Sequence, residues 1–124
     1  MGTGGASKAV IYTLRKKGIT CHYVSRTASK NVTYTYSDLN EAIISEYQII
    51  VNCTPLGTFP NIEDCPSIPY EGITSRHILF DLIYNPEETT FLKLGKQKGA
   101  TTINGHNMLK LQAEKAWAIW NLLQ

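Results

Sequence analysis

The six residues Gly2-Thr3-Gly4-Gly5-Ala6-Ser7 constrain this chain more than any other stretch. A glycine-rich turn running into a helix brings backbone N–H groups against a phosphate at the helix N-terminus, where the helix dipole favours negative charge. In a nucleotide-binding βαβ unit an apolar strand feeds directly into such a turn. Only Met1 precedes it here. The pattern points to a dinucleotide-binding module that lacks its first strand and belongs to a longer enzyme.

The 124 residues suit one domain. With 43% hydrophobic and 18% charged residues the chain has an ordinary globular composition. A net charge of +2 without a basic run argues against nucleic acid as a partner. Cys21, Cys53 and Cys65 are an odd count with no C-x-x-C pair, which suits free thiols in a reducing cytoplasm. No apolar stretch approaches the ~18 residues of a membrane span. The first residues do not form a basic-then-apolar leader, so neither a signal peptide nor a membrane partner is expected.

Helices and short strands alternate along the chain. Ala6 to Lys17 has apolar residues at helical spacing, basic residues in its last turn and Gly18 as a stop. Thr20–Val24 is rich in strand formers, and Val32–Tyr36 suits a short edge strand. Ser37 to Glu41 looks like a capped helix start, with that helix ending near Ser45 or Glu46. The apolar run Gln48–Cys53 reads as a parallel strand buried on both faces. Residues 58–75, with three prolines, read as an irregular loop. His77–Ile83 is a second buried strand. Thr89–Lys98 is a helix, Ala100–Ile103 a short strand, and Met108–Leu123 a long closing helix.

This order predicts an α/β fold, a Rossmann-like three-layer parallel sheet flanked by helices. Its first strand, central in the 3-2-1-4-5-6 order, is absent between the Thr20 and Gln48 strands.

Candidate site residues fall at the strand ends. In the first turn Gly2 allows a tight bend, Gly4 lets a pyrophosphate approach, and Gly5 or Ala6 allows close helix packing. After the second strand an NAD-specific fold wants a carboxylate for the ribose 2′-hydroxyl. The chain instead has Ser25-Arg26-Thr27, with Lys30 nearby. A guanidinium with hydroxyls suits a 2′-phosphate, which Arg bonds bidentately. Asn52-Cys53-Thr54-Pro55-Leu56-Gly57 lies where ligands bind in open α/β sheets. Cys53 has no histidine close in sequence and reads as a buried small side chain, not a nucleophile. Asp81, inside an apolar strand, is either a catalytic carboxylate or a hydrogen-bonded structural one, and the structural role is favoured. His22, His77 and His106 have no metal-ligand spacing, so no metal is expected. Trp117 and Trp120, with Ile119, Leu122 and Leu123, read as a core stripe rather than a partner-binding face.

Together these segments resemble the C-terminal, NADP-binding domain of shikimate dehydrogenase, from Gly2 to about Asn121. The motifs follow the family's order: the glycine turn, Ser25-Arg26-Thr27, Asn52 to Gly57, Asp81-Leu82-Ile83-Tyr84-Asn85-Pro86, and Asn104-Gly105-His106-Asn107-Met108-Leu109 with Gln112 beyond. The last two are fairly specific. The resemblance implies that Gly4, Gly5 and Ala6 hold the pyrophosphate, and that Arg26, with Ser25, Thr27 and Lys30, binds the 2′-phosphate. It implies that Cys53, Thr54, Ile83 and Gly105 line the nicotinamide and its ribose, with Met108 near the ring. Tyr84 and Gln112 would reach the shikimate molecule. At position 25 the family usually carries Asn; Ser keeps a hydroxyl on a shorter arm.

The resemblance also implies that the complete enzyme reduces 3-dehydroshikimate to shikimate with NADPH. Its catalytic Lys–Asp pair would sit in an N-terminal, substrate-binding domain outside residues 1–124. No catalytic residue is therefore assigned here, and the isolated chain is expected to be inactive. The alternative is a non-catalytic dinucleotide-binding or regulatory module acting with a separate substrate-binding chain.

A missing central strand has an energetic consequence. About five buried apolar residues at ~1.5–3 kcal/mol each, plus ladder bonds at ~1 kcal/mol, sum to the order of 10 kcal/mol, comparable to a small domain's whole stability. The gap is expected to close by rearrangement or to be covered by a second copy through self-association. NADP affinity of the chain alone is expected to be weak, because the strand that aims the glycine turn is missing.

Overall fold

The computed structural model describes residues 1–122, so Leu123 of the expected closing helix lies outside the described residues. The elements run α1 (Gly5–Lys16), β1 (Val24–Ser25), β2 (Tyr34–Thr35), α2 (Glu41–Glu46), β3 (Ile49–Asn52), β4 (Ile78–Asp81), α3 (Thr90–Gln97), β5 (Thr101–Ile103) and α4 (His106–Leu122). All strand pairs are parallel, as the alternation of helix and strand predicts.

The strands form two sheets rather than one: β1 pairs with β2, and β3–β4–β5 form a second group. In the three-stranded group Ile49 faces Ile78, and Asn52 faces Asp81. α3 packs on β4 and β5. Its Phe91 and Leu92 join Ile44, Ile50, Ile68, Ile73, Leu79 and Ala100 in the core. Burying such side chains contributes ~1.5–3 kcal/mol each.

The first two residues stand between the sheets. The Met1 ammonium donates to the Val51 carbonyl at 2.7 Å, and the Cys53 N–H donates to the Met1 carbonyl at 2.9 Å. That pair of bonds is the parallel ladder pattern, with Met1 opposite Asn52. Gly2 N–H donates to the Val24 carbonyl at 2.9 Å, on the other side. The overall order is thus β2-β1-(Met1–Gly2)-β3-β4-β5. A groove of about 530 Å³, lined by Met1, Val10, Ile11, Leu14 and Ile49 among others, runs between β1 and β3 under α1.

Several expectations need correction. Met1 and Gly2 themselves bond β3 on one side and β1 on the other, an arrangement the sequence reading did not foresee. The Gln48–Cys53 run is less buried than expected, with Ile49 40% exposed. The Thr20–Val24 strand is reduced to Val24–Ser25, which pair with Tyr34 and Thr35 of β2. α2 is capped by Asn40, whose side chain accepts from Ile43 N–H at 2.8 Å, and not by Ser37, which lies in a 3₁₀ turn over Tyr36–Asp38. The 58–75 segment contains a second 3₁₀ turn, Tyr70–Gly72. α4 starts at His106, two residues earlier than expected, and buries none of its described residues. Trp117 is 67% exposed and Trp120 59%, so they are not a core stripe. No helix among the described residues is long and apolar enough to cross a membrane.

Candidate functional site

The turns leaving Met1–Gly2, β1, β3, β4 and β5 all lie at the C-terminal edge of the parallel strands, the edge where open α/β sheets bind ligands. The glycine turn is pinned there. Gly2 has φ +98°, a left-handed conformation that favours glycine, and a Cβ at this residue would sit 3.2 Å from the Cys53 carbonyl oxygen and 3.3 Å from Thr54 Cγ2. The bend therefore lays the turn directly against the β3 loop. Gly4 is the N-cap of α1 and supplies no capping side chain, and no acidic residue stands in the first turn. The N-terminal N–H groups of the helix stay free for an anion.

The turn is open to approach at Gly4 and Gly5. A Cβ built on Gly4 or Gly5 would meet no atom within 4 Å. This supports close approach of a ligand at Gly4. Ala6 is exposed in the same first turn, and Ser7 is buried, its hydroxyl donating to the Gly4 carbonyl at 2.7 Å. The half-buried Val10, Ile11 and Leu14 of α1 line the groove.

Arg26 follows β1 immediately. The Gly2-to-Val24 hydrogen bond ties the glycine turn to the strand two residues before it, so the guanidinium-bearing loop and the turn share one end of the sheet. Ser25 is half-buried, Arg26 and Thr27 are exposed, and no ion pair involves Arg26 among the described residues. An exposed, unpaired guanidinium is free to bind phosphate bidentately. Lys30 lies in the exposed loop beyond.

A buried polar network sets the other wall. Asn52 and Asp81, the last residues of β3 and β4, are opposite one another and fully buried. Asn52 Nδ2 donates to Asp81 Oδ1 at 3.1 Å and to the Leu56 carbonyl at 3.3 Å. Asn52 Oδ1 accepts from Thr54 N–H at 3.0 Å and from Thr54 Oγ1 at 2.6 Å. Asp81 accepts from Ile83 N–H at 3.0 Å and from Thr89 Oγ1 at 2.7 Å. The two side chains thereby fix the loops that carry Thr54 and Ile83. Asp81 is the structural carboxylate favoured from sequence. Burial pushes its pKa up, against the three hydrogen bonds that favour the ionised form. Cys53 is half-buried, and burial raises its thiol pKa, as expected of a side chain that is not an activated nucleophile.

Gly105 closes the site from the β5 side. Its N–H donates to the Ile83 carbonyl at 3.0 Å, and a Cβ there would overlap the Leu82 carbonyl. Only glycine lets the two loops approach so closely. Met108 is half-buried in the first turn of α4, Tyr84 is exposed beyond Ile83, and Gln112 is exposed on α4. The structure therefore brings Gly2, Cys53, Thr54, Ile83 and Gly105 to one sheet edge. The sequence did not mark Asn52 and Thr89 as site-building residues; a polar residue ending an apolar strand was the available signal.

No protein-family model matches the chain. Individual proteins do. It is 37% identical to a shikimate dehydrogenase (NADP⁺) of Methanosphaera stadtmanae over 97% of this chain and 48% of that protein. The crystal structure of shikimate dehydrogenase from Aquifex aeolicus superposes with a TM-score of 0.80 at 36% identity, over 97% of this chain and 46% of the other. That of the Thermus thermophilus shikimate 5-dehydrogenase, in complex with NADP(H) and shikimate, gives 0.80 at 28% identity, over 96% and 46%.

The chain is homologous to one half of shikimate dehydrogenase. It spans about half the length of the curated relatives it matches. The Rossmann-like α/β fold predicted from the sequence is shared with the shikimate dehydrogenase structures. The shikimate dehydrogenase relatives are named for NADP⁺, and the lack of a carboxylate after β1 agrees with that cofactor.

Proposed function

We propose that residues 1–124 are a single NADP-binding Rossmann-type domain of a shikimate dehydrogenase that, complete, reduces 3-dehydroshikimate to shikimate in aromatic amino-acid biosynthesis in the cytoplasm. The observation that carries it is the bond from Gly2 N–H to the Val24 carbonyl, which joins the glycine turn to the strand that ends at Arg26.

In this reading Gly2, Gly4, Gly5 and Ala6 hold the pyrophosphate at the N-terminus of α1. Arg26, Ser25, Thr27 and Lys30 hold the 2′-phosphate, and Cys53, Thr54, Ile83, Gly105 and Met108 face the nicotinamide half. Tyr84 and Gln112, both exposed, extend toward the substrate. NADP when bound supplies the hydride; this chain's residues position it. Asn52 and Asp81 hold the loops, and no described side chain at this edge combines burial, a shifted pKa and an open approach suited to proton transfer to the substrate oxygen. Catalysis is assigned to a substrate-binding domain outside these residues. The exposed apolar residues of α4 support self-association of the isolated chain.

Purified chain incubated with shikimate and NADP⁺ tests the division of labour. No NADPH absorbance above the uncatalysed rate is expected. Turnover at an enzyme-like rate would refute it.

A further inference from the structure

Asn104 stands between β5 and α4, where its carboxamide makes two bonds of opposite polarity. Its Oδ1 accepts from His106 N–H at 3.1 Å, and its Nδ2 donates to the Glu87 carbonyl at 2.9 Å. The first bond is an Asx turn that starts α4. The second reaches 17 positions back along the chain, to the loop that leaves β4. One partner is a donor and the other an acceptor, so the surroundings settle which way the amide faces.

The Glu87 bond has a neighbour. Gly105 N–H donates to the Ile83 carbonyl at 3.0 Å. Consecutive residues 104 and 105 thus hold the β4 loop at Glu87 and at Ile83, and Tyr84, Asn85 and Pro86 span the interval between these anchors. Phe59 N–H donates to the Asn85 carbonyl at 3.2 Å and steadies the same span from the β3 loop. A single hydrogen bond lets two loops hinge about it; a second bond, off its axis, fixes their relative orientation. The Gly105 carbonyl accepts from Leu109 N–H at 3.0 Å, which carries that orientation into the first turn of α4, where Met108 lies.

We propose that Asn104 is a positioning residue: its carboxamide fixes the angle between the β4 loop, with Ile83 and Tyr84, and the first turn of α4, with Gly105 and Met108. What it positions rests on the proposed function, in which Ile83, Gly105 and Met108 face the nicotinamide half of NADP and Tyr84 extends toward the substrate. Asn104 acts on both through the two loops.

Substitution separates this role from that of starting a helix. An ionised Asp keeps the Asx turn but has no donor for the Glu87 carbonyl, and it adds a third acidic group to a hollow that Asn104 lines with Glu87 and Glu88. A Ser keeps the turn on an arm too short for Glu87. If Asn104 only starts α4, both substitutes serve.

The test uses the 124-residue chain, ¹⁵N-labelled, unaltered and as Asn104→Asp and Asn104→Ser. Its probes are NADP⁺ and 2′,5′-ADP, which carries the 2′-phosphate without the nicotinamide. In both variants Gly105 N–H should exchange roughly tenfold faster, while Ile78 N–H, bonded to the Gln48 carbonyl inside the sheet, keeps its rate. NADP⁺ should bind roughly fivefold more weakly, as loss of one hydrogen bond implies, and its shifts at Gly105 and Met108 should shrink. The affinity for 2′,5′-ADP should not change. Unchanged Gly105 exchange overturns the proposal and leaves Asn104 a helix-starting residue. Equal acceleration at Gly105 and Ile78 overturns it as a general loss of stability. Equal NADP⁺ affinity in chains that bind 2′,5′-ADP overturns it as well. If the unaltered chain binds neither probe, the cofactor assignment fails, and the exchange comparison alone decides the role of Asn104.

Discussion

Asn52 Nδ2 donates to Asp81 Oδ1 at 3.1 Å across the ends of β3 and β4, both residues fully buried. The bond joins two neighbouring strands at the point where each hands its chain to a site loop. Its partners make the pair a hub: Thr54 and the Leu56 carbonyl on one side, Ile83 and Thr89 on the other.

Removing the hub should destabilise the whole sheet edge. Asp81→Ala leaves Ile83 N–H, Thr89 Oγ1 and one Asn52 donor without their partner, each costing ~1–3 kcal/mol when buried. A loss of about 3 kcal/mol or more is expected in urea denaturation. Asp81→Asn, which keeps shape and an acceptor, should lose less.

Met1 and Asp81 give stability a pH dependence of opposite sign. The Met1 ammonium has its pKa lowered from 8.0 by burial, so the unfolded chain binds more protons in the window just below 8.0. Stability should rise with pH through that window, and N-terminal acetylation should flatten it. Asp81 has its pKa raised from 3.8 by burial. Its contribution is fully present below 3.8 and is lost as pH rises through the folded value, a slope that Asp81→Asn should remove. Urea melts between pH 3 and pH 9 read both effects.

Gly105→Ala places a methyl group into the Leu82 carbonyl. The β4 and β5 loops must separate, at a cost of about 1–3 kcal/mol by analogy with overpacking. The same substitution shifts Ile83, whose carbonyl accepts from Gly105 N–H, and should weaken NADP binding more than a surface change of equal stability cost. Thermal melts paired with a cofactor titration separate the two effects.

Sequence patterns carried the glycine turn, the basic residue after β1 and the apolar β3 and β4 runs, because each is a local rule: conformational freedom, charge, or continuous burial. The placement of Met1 and Gly2 between the two sheets was not local: they bond Val51, Cys53 and Val24, 22 to 52 positions away in the chain. The α2 start was misplaced because Ser37 and Asn40 are both good caps, and the 3₁₀ turn over Tyr36–Asp38 decided between them. The α4 tryptophans look like core by composition. In the structure both are exposed, which periodicity alone did not reveal.

The central claim is that the glycine turn and Arg26 together hold a phosphorylated dinucleotide. An amide NMR titration of the ¹⁵N-labelled chain with NADP⁺ and, separately, NAD⁺ tests it most directly, since weak binding still moves resonances. NADP⁺ should shift Gly4, Gly5, Ala6, Ser25, Arg26 and Thr27 together and bind roughly tenfold or more tightly than NAD⁺, as a charge-assisted phosphate contact implies. Arg26→Ala should erase that preference while leaving the shifts at Gly4 and Gly5. Shifts confined to other surfaces, or equal response to both cofactors in the unaltered chain, would contradict it.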